Sequence, residues 1–389
     1  MASNPPLAMR DATAVVGIGI TPFYRNSGTT VLDLASQACL AAIQDAGLTP
    51  ADIDGVVCYH ERDSVSTLDV AQALGIGQLN WYNDNEQGGP GTTSTVAEAA
   101  LAVASGAAKA VVVYRAMNGR SGVRMGQFGA GEPARGMQQW TLPYGFTAPA
   151  QIFSMWATRH MATYGTTSEH LGHVSVTFRE HAQLNPAAIF YGKPITLEDH
   201  QNSRMITTPY RLLDCCLETD GAAAVVVTSA ERARDLKHDP VYIAGFSYGA
   251  GPNAGLPFTN WPDFTAMFPK YIADDAFRMA GMDRSDVDFA EIYDAFTFGV
   301  ICQLEDLGFC AKGEGGPFVA EGNIKLGGKL PCNPNGGLLS EAYVHGMNNM
   351  VEAIRQLRHE ASDRQVKDAE VGLVTGFGGA IGSVMLLHR

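Results

Sequence analysis

The stretch NGGLLSEAYVHGM, beginning at Asn335, sets three proton-handling side chains at alternate positions behind a double glycine: Glu341, Tyr343 and His345. A second group lies upstream in EIYDAF, where Tyr293 follows Glu291 by two and is followed directly by Asp294. A phenol both donates and accepts hydrogen bonds, so it can act as a general acid or, once ionised, as a general base. Its ordinary pKa is about 10, which leaves roughly one molecule in a thousand ionised at neutral pH. Service as a base therefore requires a depression of about 2–3 units, about 3–4 kcal/mol, from donors or positive charge. Taken alone, a tyrosine at a strand end or in a helix-opening loop is a packed aromatic with a satisfied hydroxyl. Deciding between these readings needs the elements that place the residues.

An internal repeat supplies that frame. Residues 35–54 read ASQACLAAIQDAGLTPADID, and residues 273–288 read ADDAFRMAGMDRSDVD. Ala46-Gly47-Leu48 precedes Asp52-Ile53-Asp54 as Ala280-Gly281-Met282 precedes Asp286-Val287-Asp288, with an offset of 234 in both motifs. Each copy reads as an amphipathic helix ended by glycine, then a loop, then a strand, GVVCYHE or FAEIYDAF. The strands TAVVGIGITPF and PVYIAGFSYGAG open the two halves; DGAAAVVVTS and GSVMLLH close them. The pattern predicts an α/β fold of similar layers, with halves at 1–235 and 236–389. A loop-rich insertion at 117–210 in the first half is expected to cover a site.

The bulk composition removes several function classes. With 40 acidic against 27 basic residues the net charge is −13, which argues against nucleic-acid binding, since that needs a basic face. An anionic ligand such as coenzyme A would need a local basic patch or a partner's help. Seven cysteines, an odd number without a CxxC, suit reduced thiols in a cytoplasm; the adjacent Cys215 and Cys216 read as small buried hydrophobes. The first residues carry no signal-peptide pattern. The longest apolar stretch, VAEAALAVASGAAKAVVVY, holds Glu98 and Lys109 and reads as a helix and a strand rather than a membrane span.

Other motifs carry less. GFGGAIG at 376–382 lacks the following helix of a dinucleotide loop and reads as a β–turn–β corner with exposed N–H groups. Gly245-Phe246-Ser247-Tyr248-Gly249 lacks the helix that a nucleophile elbow requires. His170 and His173 lie three apart on a predicted helix without a third ligand nearby. Arg115, Arg120 and Arg124 suit either phosphate or a solvated loop.

The two halves, DGAAAVVV, EIYDAF, NPNGGLLSEAY and the glycine-rich C-terminal corner together resemble the thiolase superfamily. More narrowly they resemble its lipid-transfer-protein and sterol-carrier-protein-x branch, over nearly the whole chain. The resemblance implies a cysteine nucleophile opening a buried helix in the first half. The matching stretch NDNEQGGPGTTSTVAEAAL has Gly89 or Pro90 there, and neither can form an acyl-enzyme. It also implies histidines in an E-x-H-D-x-F strand end and a G-G-x-x-x-x-G-H loop, where this chain has Tyr293 and Tyr343. A cysteine near the final corner is absent too.

Tyrosines at such places are similar to the Ltp-type aldolases of bacterial steroid side-chain degradation. What this implies is a lyase: retro-aldol cleavage of a β-hydroxyacyl-CoA, a 17-hydroxy steroid C20-carboxyl-CoA, to a ketosteroid and propionyl-CoA. Tyr293 and Tyr343 would be acid and base, the backbone of Gly378 and Gly379 would hold the enolate, and Asp294, His345 and Glu341 would support. No metal and no tightly bound cofactor are implied, coenzyme A arriving as part of the substrate. The implied assembly is a homodimer with a small OB-fold acyl-CoA-associated partner, α2β2. Two readings remain beside it: a non-catalytic acyl-CoA-binding or lipid-binding scaffold, and a thiolase with a relocated cysteine, Cys332.

Overall fold

Runs of valine and alanine without polar alternation form strands buried on both faces. The computed structural model describes residues 9–122, 124, 134, 136, 138–146, 148–252 and 261–389. Its main sheet contains β1 (Thr13–Ile20), β2 (Gly55–His60), β3 (Trp81–Glu86), β4 (Ala110–Asn118), β5 (Asp220–Ser229), β6 (Val241–Ala250), β7 (Phe289–Glu291), β8 (Val371–Phe377) and β9 (Ile381–His388). Their spatial order is β3-β2-β4-β5-β1-β6-β9-β8-β7. Outward from the centre, β1-β5-β4-β2 and β6-β9-β8-β7 repeat one arrangement, joined where β1 pairs antiparallel with β6.

The helices that matter to the site are α1 (Val31–Asp45), α2 (Gly91–Ala104), α3 (Pro269–Ala280), α4 (Thr297–Asp306), α5 (Gly337–Ser340) and α6 (Met347–Leu357). Successive strand side chains point to opposite faces, so each strand serves two cores. In β5, Ala222, Ala224 and Val226 join α1, while Ala223, Val225 and Val227 join α2 and α6. Both central helices touch both halves of the sheet, and α3 covers the outer face of the second half. The result is a layered α–β–α–β–α stack, with α2 and α6 in the middle.

The repeat is visible in detail. Gly47 and Gly281, at φ +73° and +62°, turn the chain out of α1 and α3, a left-handed cap that glycine adopts freely. The carboxylate of Asp54 accepts the Lys109 and Ala110 N–H groups at the start of β4. Asp288 does the same for Glu370 and Val371 at the start of β8.

Ser247 lies inside β6, opposite Val384 of β9, so the GxSxG match is strand; residues 253–260 beyond it lie outside the described residues. GFGGAIG is the corner between β8 and β9. Part of the 117–210 insertion also lies outside the described residues. The described part holds two long helices, Pro149–Tyr164 and Ser168–Ala182, and the second packs on α4 and α5. Among the described residues no helix is long and apolar enough to cross a membrane.

Candidate active site

Two threonine clamps fix the tyrosines by their backbones. Tyr293, two residues beyond β7, donates its N–H to Thr375 Oγ1 of β8 at 2.9 Å. Thr375 in turn donates to Gln303 Oε1 of α4, and Gln303 Nε2 donates to the Tyr293 carbonyl at 2.9 Å, closing a ring. Tyr343 donates its N–H to Thr219 Oγ1, and that hydroxyl donates back to the Tyr343 carbonyl, both at 2.9 Å. Asp294 then stitches the two segments together. Its carboxylate accepts Asn333 Nδ2 and the N–H groups of Leu338 and Leu339 in α5.

These restraints bring the two phenol oxygens to 2.8 Å from each other, with the rings nearly perpendicular at 84°. Both residues are buried, 2% and 3% exposed. A Cβ at Gly89 would overlap the Phe377 carbonyl oxygen and fall 2.7 and 2.8 Å from Cζ and the hydroxyl of Tyr293. The phenol therefore uses the space that a side chain at 89 would need. Pro90 is seated against the C-terminal corner: its carbonyl accepts Ser383 Oγ at 2.7 Å, and a Cβ at Gly378 would lie 2.8 Å from its ring. Gly89, Pro90, Tyr293, Tyr343 and the corner thus meet.

One expectation about the corner is corrected. The Gly378 N–H donates to the Ile381 carbonyl at 2.9 Å, because the hairpin closes on itself, so it is not a spare oxyanion donor. The Gly379 N–H has no hydrogen-bond partner among the described residues. A second correction concerns Arg115, which is neither solvated nor free for phosphate. It lies fully buried in β4, gripping Asp63 with Nη2 at 2.6 and 2.7 Å and the Nδ1 of His345 with Nε and Nη2 at 3.1 and 2.7 Å.

The electrostatics follow from burial. Desolvation pushes both phenols well above their ordinary range; the hydrogen bond from Tyr343 pulls Tyr293 back in part. The depression that a phenol base requires is thus not supplied by the groups around the two tyrosines. His345 is pushed down to about 3 by burial and then by the Arg115 charge. Asp294 is pushed up to about 7 by burial, against the N–H groups that hold it. Glu341 is pushed up to about 7 by burial and by Glu352, against amide donors from Asn348 and Asn185. Neither carboxyl bonds to a phenol; Glu341 is spent on Asn185, Asn335 and Asn348.

Residues 254–387 match the thiolase C-terminal domain-like family. Over 386 residues, 97% of each chain, the sequence is 46% identical to the steroid side-chain-cleaving aldolase of Thermomonospora curvata. Over 381 residues, 96% of this chain and 98% of the relative, it is 45% identical to the 17-hydroxy-3-oxo-4-pregnene-20-carboxyl-CoA lyase of Mycobacterium tuberculosis. The chain belongs to the thiolase superfamily. Among solved structures, the Ltp2-ChsH2(DUF35) aldolase superposes with a TM-score of 0.92 at 45% identity, covering 98% of this chain and 99% of that one.

For a member of the thiolase superfamily, the cysteines matter by their places. Cys332 is buried beside β7, its thiol turned to the Leu330 carbonyl and pushed up by burial. Cys216 is the thiol whose charge would act on both phenols, and burial pushes it well up too. Neither environment favours a thiolate. Cys58, His60 and Asp84 converge closely enough to hold a metal. Asp84, however, already accepts the Thr67 N–H and hydroxyl and the Cys58 thiol, which makes it a helix-capping carboxylate. His170 accepts the Thr167 N–H as part of a capping box, and Arg124 pairs with Glu218. Sequence reasoning missed Thr219, Thr375, Gln303, Asn333 and the Asp63–Arg115 pair. The one available signal was Thr219 standing directly before DGAAAVVV.

Proposed function

We propose that this chain is a carbon–carbon lyase that cleaves a β-hydroxyacyl-CoA by a retro-aldol reaction, with Tyr293 and Tyr343 moving the protons and no acyl-enzyme. The observation that carries the reading is the 2.8 Å contact between two buried phenol oxygens, in the space left by Gly89. The base oxygen takes the β-hydroxyl proton, the Cα–Cβ bond breaks, and its electrons pass into the thioester as an enolate while the β-carbon becomes a ketone. The other phenol returns a proton to Cα, so the net change is one proton moved from oxygen to carbon. Transfer across the hydroxyl–hydroxyl contact then resets the pair. A phenolate in this pocket needs a source of stabilisation that arrives with the substrate, since burial alone opposes it.

The names of the two relatives support a 17-hydroxy steroid C20-carboxyl-CoA as substrate, with a ketosteroid and propionyl-CoA as products. No tightly bound cofactor enters this scheme; coenzyme A comes and goes with the acyl group. The Ltp2-ChsH2(DUF35) assembly supports a small OB-fold partner, which would bring basic contacts for coenzyme A to a chain of net charge −13. A homodimer through the edge of β3, which is unpaired among the described residues, would complete an α2β2 complex in the cytoplasm; sheet edges left open invite such pairing.

The test is turnover of that thioester by the chain co-purified with its small partner, with products read by mass spectrometry. Stoichiometric ketosteroid and propionyl-CoA support the reading. Binding of the thioester without cleavage would leave a scaffold instead.

A further inference from the structure

His345 is held more firmly than a packing residue requires. Its backbone sits at φ +45°, and Gly346 follows at φ +85°; a non-glycine residue there is strained and persists only where its surroundings over-determine it. They do: its carbonyl accepts the Tyr59 hydroxyl at 2.6 Å and Thr92 Oγ1 at 2.8 Å. The ring lies 5.0 Å from that of Tyr343, centroid to centroid.

The ring's protonation follows from its partner. A guanidinium has donors and no acceptor, so the two contacts from Arg115 to Nδ1 require Nδ1 to be the bare nitrogen. The proton must then be on Nε2. Asp63 grips Arg115 from the other side, and Arg115 Nη1 is used by the Ala116 carbonyl, so this orientation has no slack. Nε2 itself has no hydrogen-bond partner among the described residues, although the residue is only 2% exposed. A buried arginine, held by a partly exposed aspartate, is thus spent on presenting one neutral N–H donor beside Tyr343. The retro-aldol step needs such donors, because its enolate oxygen develops charge, and at the corner Gly378 is spent on Ile381, which leaves only the Gly379 N–H.

We infer that His345 is a catalytic hydrogen-bond donor, its Nε2–H holding the thioester carbonyl of the substrate and the enolate oxygen formed from it. The inference rests on the aldolase reading for the substrate class. Neutral imidazole is suited to the task, since it polarises a carbonyl without giving up its proton.

The experiment compares wild type, His345→Gln and His345→Leu, each in the complex with the small partner. One readout is kcat on the cleavable thioester. The other is the infrared carbonyl band of a bound 13C-labelled acyl-CoA that lacks the β-hydroxyl and cannot be cleaved. Loss of one donor to a developing oxyanion lowers kcat by about a hundredfold to a thousandfold. The expected result is that loss for His345→Leu, with a higher carbonyl frequency and thioester affinity within about threefold, and partial recovery of rate and frequency in His345→Gln, whose amide can still donate. A merely structural histidine would leave the band where it is in wild type, and that result, or a loss in kcat below about tenfold, overturns the inference. Wild-type turnover is a separate arm: its failure sinks the aldolase reading, whereas cleavage by wild type with an unmoved band in His345→Leu sinks only the donor.

Discussion

The loops that lead into the two central helices sit at matching places in the two halves, yet they have diverged in opposite directions. The loop before α2 has been stripped of side chains, and each missing Cβ makes room for a group from elsewhere. A Cβ at Gly88 would meet the Glu61 carboxylate, one at Gly89 the Tyr293 phenol, and one at Gly91 the Tyr59 ring. The loop before α6 has kept its side chains, and Glu341, Tyr343 and His345 project from it into buried surroundings. A symmetric scaffold thus holds an asymmetric site, made by subtraction on one side and addition on the other. In the proposed mechanism, glycine at 89 is as much part of the chemistry as tyrosine at 293, because the two share one volume.

The most severe way to break this comparison is Gly89→Cys, which returns a thiol to the stripped loop. The new side chain and the Tyr293 hydroxyl cannot both fit. Displacement of a reacting group by about 1 Å costs about a hundredfold, and here the phenol must leave its place altogether, so cleavage should fall by more than about a hundredfold, with no acyl adduct in the intact mass after exposure to acyl-CoA. Normal turnover would show that the two loops are not coupled. A double-mutant cycle of Gly89→Ala with Tyr293→Ala sharpens the point: contacting residues couple by about 0.5–3 kcal/mol, and denaturant unfolding should find the pair in that range.

Next in size come Tyr293→Phe and Tyr343→Phe. On the proposed mechanism each removes one proton carrier and should lower kcat by at least about a hundredfold. The double variant should be little worse than either single one, because groups that act as a unit are strongly non-additive. Additive losses would mean that the 2.8 Å contact is packing rather than a shared proton path.

The sequence was readable where the information is local. The repeat and its glycine caps follow from spacing within short windows, and the two tyrosines stand out through the resemblance of EIYDAF and NPNGGLLSEAY to thiolase motifs. What escaped notice was set by pairing across the chain. Thr219 reaches Tyr343 over 124 positions and Thr375 reaches Tyr293 over 82, and no periodicity reports such partners. Gly378 looked like a free donor because a glycine-rich corner exposes N–H groups in general, whereas this hairpin closes on Ile381. Arg115 looked solvated because it precedes a glycine-rich stretch, but β4 runs on to Asn118 and carries it inside.

The threonine clamps are the next smaller lever. Thr219→Val and Thr375→Val each leave a buried backbone N–H without its acceptor, which costs about 1–3 kcal/mol. Denaturant midpoints should shift accordingly, with kcat falling less than in the phenol variants. A clamp variant that loses stability but no activity would show that the tyrosines keep their places by ring packing alone.

The smallest effect concerns Glu341, on the loop that kept its side chains. Its folded-state pKa is raised to about 7 by burial and by Glu352, against an ordinary value near 4.3. The native state therefore binds the proton more tightly than the unfolded state. That contribution to stability is fully present below about pH 4 and is lost as pH rises through about 7. Glu341→Gln cannot titrate, so the unfolding free energy of wild type minus that of the variant should fall by about 2.5 kcal/mol between pH 5 and pH 8. Asp294 is raised in the same direction by burial, but it is present in both proteins and cancels in the difference. A difference that stays constant with pH would mean that Glu341 ionises as readily folded as unfolded. Its three amide partners would then outweigh its burial, and the second loop would be holding a buried charge.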